Sequence, residues 1–286
     1  MVLLRGFILL VIAAIGAAGY AVEPPRKPLK ILIFADMEGI SGLPSRSFTF
    51  PNGKYYDKGC LRYTWDINAC VDACFKAGAD AVFVRDGHSS GRNAVVSQVD
   101  PRAVLIQGPT KDRLPHIQEC DAVIFLGYHS MAHTPNGFAA HTYSSKTVDN
   151  MWMNGRLAGE IGIDSAVAGE YGRPVIMVSG DDKACREAEE WIPGVVTCQV
   201  KEGLALESAR LIPSREAWKR IEEKTIEAIG RIGSIKPVEA SHPVTIRKQM
   251  LNPLNADYLK GKPELRIVDS RTTERTADTV EGAFGF

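Results

Sequence analysis

Short apolar runs alternate with amphipathic segments along most of this chain. The apolar runs are KILIFA at 30–35, AVFV at 81–84, VLI at 104–106, AVIFL at 122–126 and PVIMV at 174–178. Segments with helical spacing of their apolar residues lie at 56–77, 157–171, 183–190 and 214–230, and Asp182 is expected to cap the third of these helices. Strands that alternate with helices predict an α/β fold with a mostly parallel sheet covered by helices on both faces.

Two regions depart from this alternation. Residues 147–153 predict a strand that turns at Asn154-Gly155, a dipeptide typical of hairpins. Beyond Lys236-Pro237, β-like stretches follow one another without helices between them. We therefore predict a main α/β domain at 30–212, a smaller C-terminal α+β region at 213–286, and a proline-rich basic linker at 22–29.

The first 21 residues differ from the rest in hydropathy. Arg5 supplies one positive charge, the run FILLVIAAIGAA follows, and small residues precede the end at Ala21. This order is typical of a secretory signal peptide at 1–21. The alternative is an uncleaved N-terminal anchor, although the run is short for a membrane-spanning helix. Cleavage predicts an exported protein, periplasmic or secreted, without membrane attachment.

Charge and cysteine usage narrow the possible partners. The 34 basic and 34 acidic residues cancel, so no overall field would attract nucleic acid, and a small partner is favoured. The six cysteines contain no C-x-x-C pair, which excludes a zinc ribbon and a thioredoxin motif. Cys70 and Cys74 lie one helical turn apart among apolar neighbours. Buried thiols are therefore favoured over the disulfides that export would permit.

Side chains suited to metals follow three of the predicted strands. Asp36 and Glu38 end the first run, His88 follows the second and His129 follows the fourth. Because parallel strands bring their carboxyl ends to one edge of a sheet, these residues are expected to converge. Glu160 at a helix start adds a third carboxylate, and His141 in a polar loop adds an imidazole.

Two imidazoles and three carboxylates exceed the three protein ligands of a typical catalytic zinc. They suit two ions that share a carboxylate, with Asp36 as the bridge, Glu38 and His88 on one ion, and His129 and Glu160 on the other. Taken singly, each residue could instead be a solvated turn residue, a hydrogen-bonded core histidine or a first-turn acid. Three further histidines are predicted to lie outside the ligand shell: His116, His133 and His242.

Five ordered blocks within residues 30–213 resemble the zinc-dependent D-aminopeptidases of bacterial dipeptide-transport operons. The blocks are ADMEGISG at 35–42, RDGHSSGRN at 85–93, FLGYHSMAHTPNGFAAH at 125–141, NGRLAGEIG at 154–162 and VSGDDKACREAEEWIP at 178–193. The family turn N-D-S-H is R-D-G-H here. The resemblance is highly specific for the family and less specific for the substrate.

This resemblance implies a binuclear metallo-aminopeptidase that removes an N-terminal residue, a D-amino acid, from short peptides. It implies two divalent ions, zinc first among them, held by Asp36, Glu38, His88, His129 and Glu160, with His141 as the catalytic histidine. The residues alone leave the role of His141 open between base, nucleophile and oxyanion donor. The resemblance also implies a ring-like homo-oligomer, and the signal peptide points to exported or wall-derived peptides as substrates.

Two other functions fit parts of the pattern. Asp36-Met37-Glu38 and Gly180-Asp181-Asp182 imitate the acidic motifs of haloacid-dehalogenase-like magnesium phosphatases, which would need neither His88 nor His129. A non-catalytic exported metal-binding protein would keep the same fold and residues without turnover.

Overall fold

The structure is a computed structural model that describes residues 26–254 and 264–285. The predicted signal peptide at 1–21 and the first residues of the predicted linker lie outside the described residues. Within the described ranges, no helix combines the length and the apolar character that crossing a bilayer requires.

The described residues form strands and helices in the predicted alternation. The strands are β1 Lys30–Ala35, β2 Ala81–Asp86, β3 Val104–Ile106, β4 Ala122–Tyr128, β5 Val148–Met153, β6 Arg156–Leu157, β7 Val175–Asp181, β8 Val196–Ala205, β9 Ser208–Leu211, β10 Val244–Met250, β11 Arg266–Ile267 and β12 Thr272–Ala277. The α-helices are α1 Tyr56–Lys76, α2 Glu160–Glu170, α3 Asp182–Trp191, α4 Ser214–Gly230 and α5 Val280–Phe284.

The main sheet has the strand order β3-β2-β1-β4-β7-β8-β9. Every neighbouring pair is parallel except β8 and β9, and β1 pairs with both β2 and β4. Residues 31–35 of β1 are buried throughout, as are all of β4 and β7, which explains why these strands read as continuous apolar runs. Among the helices that cover the sheet, α1 packs against α4, and α2 packs against α3. The predicted α/β fold is confirmed.

A second sheet of order β11-β12-β10-β5-β6 is antiparallel. Strands β5 and β6 form the predicted hairpin, and its two turn residues have positive φ angles, 50° at Asn154 and 82° at Gly155. This hairpin precedes residue 212 in sequence but pairs with β10. Helix α4, which follows residue 213, packs on α1 and β8. The predicted boundary after residue 212 therefore does not separate the two sheets.

Two predicted helix starts differ from the observed ones. The helix predicted at 157–171 begins at Glu160, because Arg156 and Leu157 pair with β5. The prediction that Asp182 caps the third helix was wrong. Asp181 is the N-cap of α3, and its carboxylate accepts from the backbone N–H groups of Lys183 and Ala184. All six cysteines are buried and unpaired, as predicted.

Gly39 fits the turn after β1 tightly against the end of β4. Its N–H donates to the Gly127 carbonyl at 2.7 Å, and the N–H of Asp36 donates to the Leu126 carbonyl at 2.8 Å. A Cβ atom on Gly39 would lie 1.8 Å from the Tyr128 carbonyl oxygen. The close approach of the two strand ends therefore requires a residue without a side chain at this position.

Glu187 of α3 connects two segments that carry predicted site residues. Its Oε2 accepts from the Met131 N–H at 2.7 Å, in the loop after β4. A Cβ on Gly159, the N-cap of α2, would lie 2.4 Å from Oε1. Oε1 itself is buried and has no hydrogen-bond partner among the described residues. Burial raises the pKa of Glu187 from 4.5 to about 7, although the bond from Met131 opposes the shift.

We expect Gly39→Ala to destabilise the fold by about 1–3 kcal/mol, because the new methyl group collides with backbone that cannot rotate away. Urea unfolding followed by circular dichroism measures this loss. Gly233→Ala is the matched control, since a Cβ there meets no heavy atom within 4 Å. Equal effects of the two substitutions would contradict the packing argument.

Glu187→Gln keeps an acceptor for Met131 N–H and removes the titratable group. The pKa of Glu187 is raised in the folded state, so the native protein keeps a proton that the unfolded chain releases above about pH 4.5. The free energy of unfolding of the wild type therefore falls as the pH rises from about 4.5 to about 7. The free energy of unfolding of Glu187→Gln minus that of the wild type should therefore increase by roughly 2 kcal/mol from pH 5 to pH 8. Urea titrations in a chelating buffer at both pH values measure the gain. A pH-independent difference would refute the shift.

Candidate metal centre

The six predicted site residues come together at the carboxyl edge of the main sheet. Asp36 directly follows β1, His129 directly follows β4, Glu160 is the first residue of α2, and the others lie in turns or loops. They form two groups of potential metal ligands. One group is Asp36, Glu38 and His88, the other is His129, His141 and Glu160, and the ligand atoms within each group lie within 4.8 Å of one another.

The Asp36 carboxylate contacts both its own group and the other one. Its Oδ1 lies 3.1 Å from Nδ1 of His88, and its Oδ2 lies 3.5 Å from Nε2 of His129. Oδ1 also accepts from the N–H of Met37 at 2.8 Å, which fixes the rotamer. One oxygen therefore faces each group, as expected of a bridging carboxylate.

Backbone carbonyls orient the three imidazoles. Nε2 of His88 lies 2.9 Å from the Thr49 carbonyl, Nδ1 of His129 lies 3.0 Å from that of Ser130, and Nδ1 of His141 lies 2.9 Å from that of Ala139. A carbonyl only accepts, so these nitrogens carry the hydrogen in each neutral ring. The opposite nitrogen then presents its lone pair to the carboxylates, the arrangement typical of metal-binding histidines.

Glu160 is held by a network that the sequence analysis did not predict. Its Oε1 accepts from the N–H of Tyr143 at 2.7 Å, and its Oε2 lies 3.4 Å from Nη2 of Arg113. Arg113 in turn donates to both oxygens of Asp164, at 2.9 and 2.8 Å, and the hydroxyls of Tyr128 and Tyr143 donate to Asp164 as well. The four-residue spacing of Glu160 and Asp164 on one helix was the available signal.

The neighbouring charges shift the pKa values strongly. Burial lowers the pKa of His129, but the carboxylates of Glu160 and Asp36 outweigh it and raise that pKa to about 10. Burial raises the pKa of Glu160, but His129 and His141 outweigh it and lower that pKa to about 2. The pKa of His88 is raised and that of Glu38 is lowered in the same way, each against the effect of burial. Positive charge is therefore strongly favoured among these carboxylates.

The residues fit a pair of divalent ions. Glu38 Oε2 is buried and makes no well-aligned hydrogen bond among the described residues, although Nδ1 of His88 lies 2.9 Å away. An anionic oxygen in this position needs a cation, and the lone pair of His88 is directed to the same place. Mixed imidazole and carboxylate donors suit zinc.

A cavity of about 600 Å³ opens onto the two groups. Its walls include five of the six predicted residues, all except His129, together with Phe50, Pro51, Asn52, Arg113 and the segment 143–146. The side chain of His141 is 16% exposed, whereas that of His129 is 2% exposed. Of these two histidines, His141 is therefore the one that a molecule in the cavity can contact.

The remaining histidines lie outside both groups, as predicted. His133 pairs with Asp149 at 2.6 Å, and His116 pairs with Glu119 at 2.7 Å. His242 lies 2.9 Å from the Asp278 carbonyl.

Asp181, in the second of the two motifs that suggested a phosphatase, has a structural role. Besides capping α3, Asp181 accepts from the N–H of Phe138 at 2.8 Å through its second oxygen. This carboxylate therefore holds the loop before His141 against the start of α3.

Comparisons with known proteins identify the same class of enzyme. The profile of peptidase family M55, described as D-aminopeptidase, matches residues 29–286. A D-aminopeptidase from Bacillus subtilis (strain 168) is 34% identical over 249 residues, which cover 86% of this chain and 90% of that protein. The solved structure of the Zn-dependent D-aminopeptidase DppA from Bacillus subtilis, described as a self-compartmentalizing protease, superposes with a TM-score of 0.85 at 32% identity. The superposition covers 90% of this chain and 94% of that one.

These matches confirm the predicted family, the α/β fold and the class of metal-dependent aminopeptidase, and they exclude the phosphatase alternative. The Zn dependence of DppA and the two groups of ligand atoms support the predicted pair of divalent ions. With its profile match and its 34% identity to a D-aminopeptidase from Bacillus subtilis, the chain belongs to the D-aminopeptidase family M55.

Proposed function

We propose that this protein is a binuclear zinc aminopeptidase that releases an N-terminal D-amino acid from short peptides. The observation that carries the proposal is the position of Asp36, whose two oxygens each face a histidine of a different ligand group. The D-configuration of the substrate rests on the family, whose relatives are D-aminopeptidases.

In this proposal Glu38 and His88 would hold one ion, His129 and Glu160 would hold the other, and Asp36 would be shared between them. Two divalent ions held there would polarise the scissile carbonyl and acidify the attacking water. The chain supplies the geometry, because the carbonyls of Thr49 and Ser130 hold the two imidazoles in one orientation. Arg113 keeps Glu160 in place from the opposite side.

His141 is the proposed catalytic histidine. Its Nδ1–H donates to the Ala139 carbonyl, and its Nε2 lies 3.9 Å from Oε1 of Glu160. Its ring stacks on that of His129 with centroids 4.0 Å apart, which limits its motion. With Nδ1 protonated, Nε2 can take the proton of an attacking water or attack the scissile carbonyl carbon itself.

Two further properties belong to this proposal. The relative DppA is described as self-compartmentalizing, and we infer a homo-oligomeric ring for this chain as well. The signal-peptide pattern at 1–21 supports export to the periplasm or the medium, where wall-derived peptides containing D-residues would be substrates.

Removal of the metals should abolish peptide hydrolysis, because the carbonyl is then no longer polarised. After chelation, activity on a panel of D- and L-aminoacyl dipeptides should return with added zinc, and release of the D-residue should be faster. Quantifying the freed amino acid by chromatography measures both effects. Full activity of the chelated protein would refute the metal mechanism, and faster release of L-residues would refute only the D-preference.

Asp36→Asn and His141→Ala should separate metal binding from catalysis. We expect Asp36→Asn to retain less than one zinc per chain, because its amide cannot bridge two cations. We expect His141→Ala to keep two zinc ions but to lose about 10²–10⁴-fold in kcat. Elemental analysis and steady-state kinetics measure these changes.

The control for this comparison is His133→Ala, which alters an exposed histidine outside both ligand groups. Its zinc content and kcat should match those of the wild type. A His141→Ala protein that holds only one zinc would make His141 a ligand and overturn its assignment. Normal activity of Asp36→Asn would remove the bridge from the mechanism.

A further inference from the structure

One cavity is lined both by residues of the ligand groups and by a lysine. Asp36, Glu38 and Glu160 line it, and so does the segment 144–146, which includes Lys146. We propose that Lys146 binds the C-terminal carboxylate of the substrate and that peptides with a free carboxyl terminus are therefore preferred over amidated ones. This inference rests on the proposed aminopeptidase activity and names its substrate class.

Two basic side chains line this cavity, and they differ in their partners. Arg113 is engaged by both oxygens of Asp164 and approaches Glu160. Lys146 is exposed, and no acidic side chain of the described residues pairs with it. Lys146 is therefore the cation that can accept a new carboxylate without giving up an existing ion pair.

The segment that carries Lys146 is held in a fixed shape. The N–H groups of Thr147 and Val148 both donate to the Ser144 carbonyl, at 3.2 and 3.0 Å. Ser145 Oγ accepts from Nη2 of Arg46 at 3.1 Å. This turn presents Lys146 from a preorganised backbone, so only the lysine side chain must be ordered when a ligand binds.

Arg46 also connects this turn to a second part of the cavity lining. Its guanidinium carbon lies 5.0 Å from the ring centroid of Phe50, which lines the same cavity. The apolar wall at Phe50 and Pro51 and the turn with Lys146 are thus tied together by one side chain. The cavity mouth offers apolar contact for a side chain beside a positive charge for a carboxylate.

A peptide with a free C-terminus suits a cavity that is lined by both the ligand groups and a lysine. Its N-terminal residue lies at the ligand groups in the proposed function, and its carboxylate lies farther along the extended chain, by about 3.5 Å per residue. Amidation of the C-terminus removes the negative charge of that carboxylate. Lys146 therefore distinguishes a free C-terminus from an amidated one.

The test compares a D-aminoacyl dipeptide with its C-terminal amide, using the zinc-loaded full-length protein. We expect wild-type kcat/KM to be about tenfold higher for the dipeptide acid than for the amide, mainly through KM. Lys146→Ala should bring this ratio close to one, Lys146→Glu should invert it, and Lys146→Arg should preserve it. Lys219→Ala, on the exposed face of α4, is the matched control and should leave the ratio unchanged.

Calorimetry provides a second readout that does not depend on turnover. A dipeptide analogue with a reduced peptide bond, used as the acid and as the amide, should show the same acid preference, and Lys146→Ala should abolish it. Equal wild-type kinetics for acid and amide, or an acid preference that survives in Lys146→Ala, would overturn the assignment of Lys146 while leaving the aminopeptidase activity intact. Failure of the zinc-loaded protein to hydrolyse any peptide would instead refute the proposed function.

Discussion

Three buried carboxylates at one edge of the main sheet are the constraint on which this structure depends. Asp36, Glu38 and Glu160 are each less than 10% exposed, and like charges repel strongly away from water. Their burial is tolerable only with compensating positive charge. Protonated imidazoles provide it without metal, which is why the pKa of His129 rises to about 10, and divalent ions provide it in the loaded enzyme.

The main sheet holds these charges in position. Strand β1 lies between β2 and β4 and is parallel to both, so the residues that follow these three strands lie together at one edge of the sheet. The absence of a Cβ on Gly39 lets the turn after β1 lie against the end of β4, and the Asp36 and Gly39 N–H groups bond to that strand end. Backbone contacts between the strand ends therefore set the separation of Asp36 and His129.

The sequence was sufficient to predict five of the seven strands of the main sheet and the convergence of Asp36, His88 and His129, because strand ends in a parallel sheet meet at one edge. Strands β8 and β9 were not predicted. The sequence could not reveal Arg113, which reaches Glu160 and Asp164 from an irregular loop with no periodic pattern. It also misplaced the cap of α3, since Asp181 and Asp182 are chemically identical and only the end of β7 distinguishes them. Pairing of the β5–β6 hairpin with β10 is a long-range contact that local patterning does not encode.

The two ligand groups differ in their exposure to the cavity, and this difference bears on the role of His141. Asp36, Glu38 and His88 are all buried, whereas the other group includes the half-buried His141. His141 lies farther from Oε1 of Glu160 than His129 does, 3.9 against 3.3 Å, while its ring covers that of His129. An imidazole that stacks on His129, with its lone pair toward the same carboxylate and the cavity, is suited to exchange protons with a bound substrate. His141 can therefore belong to the cluster of potential ligands and still contact a molecule in the cavity.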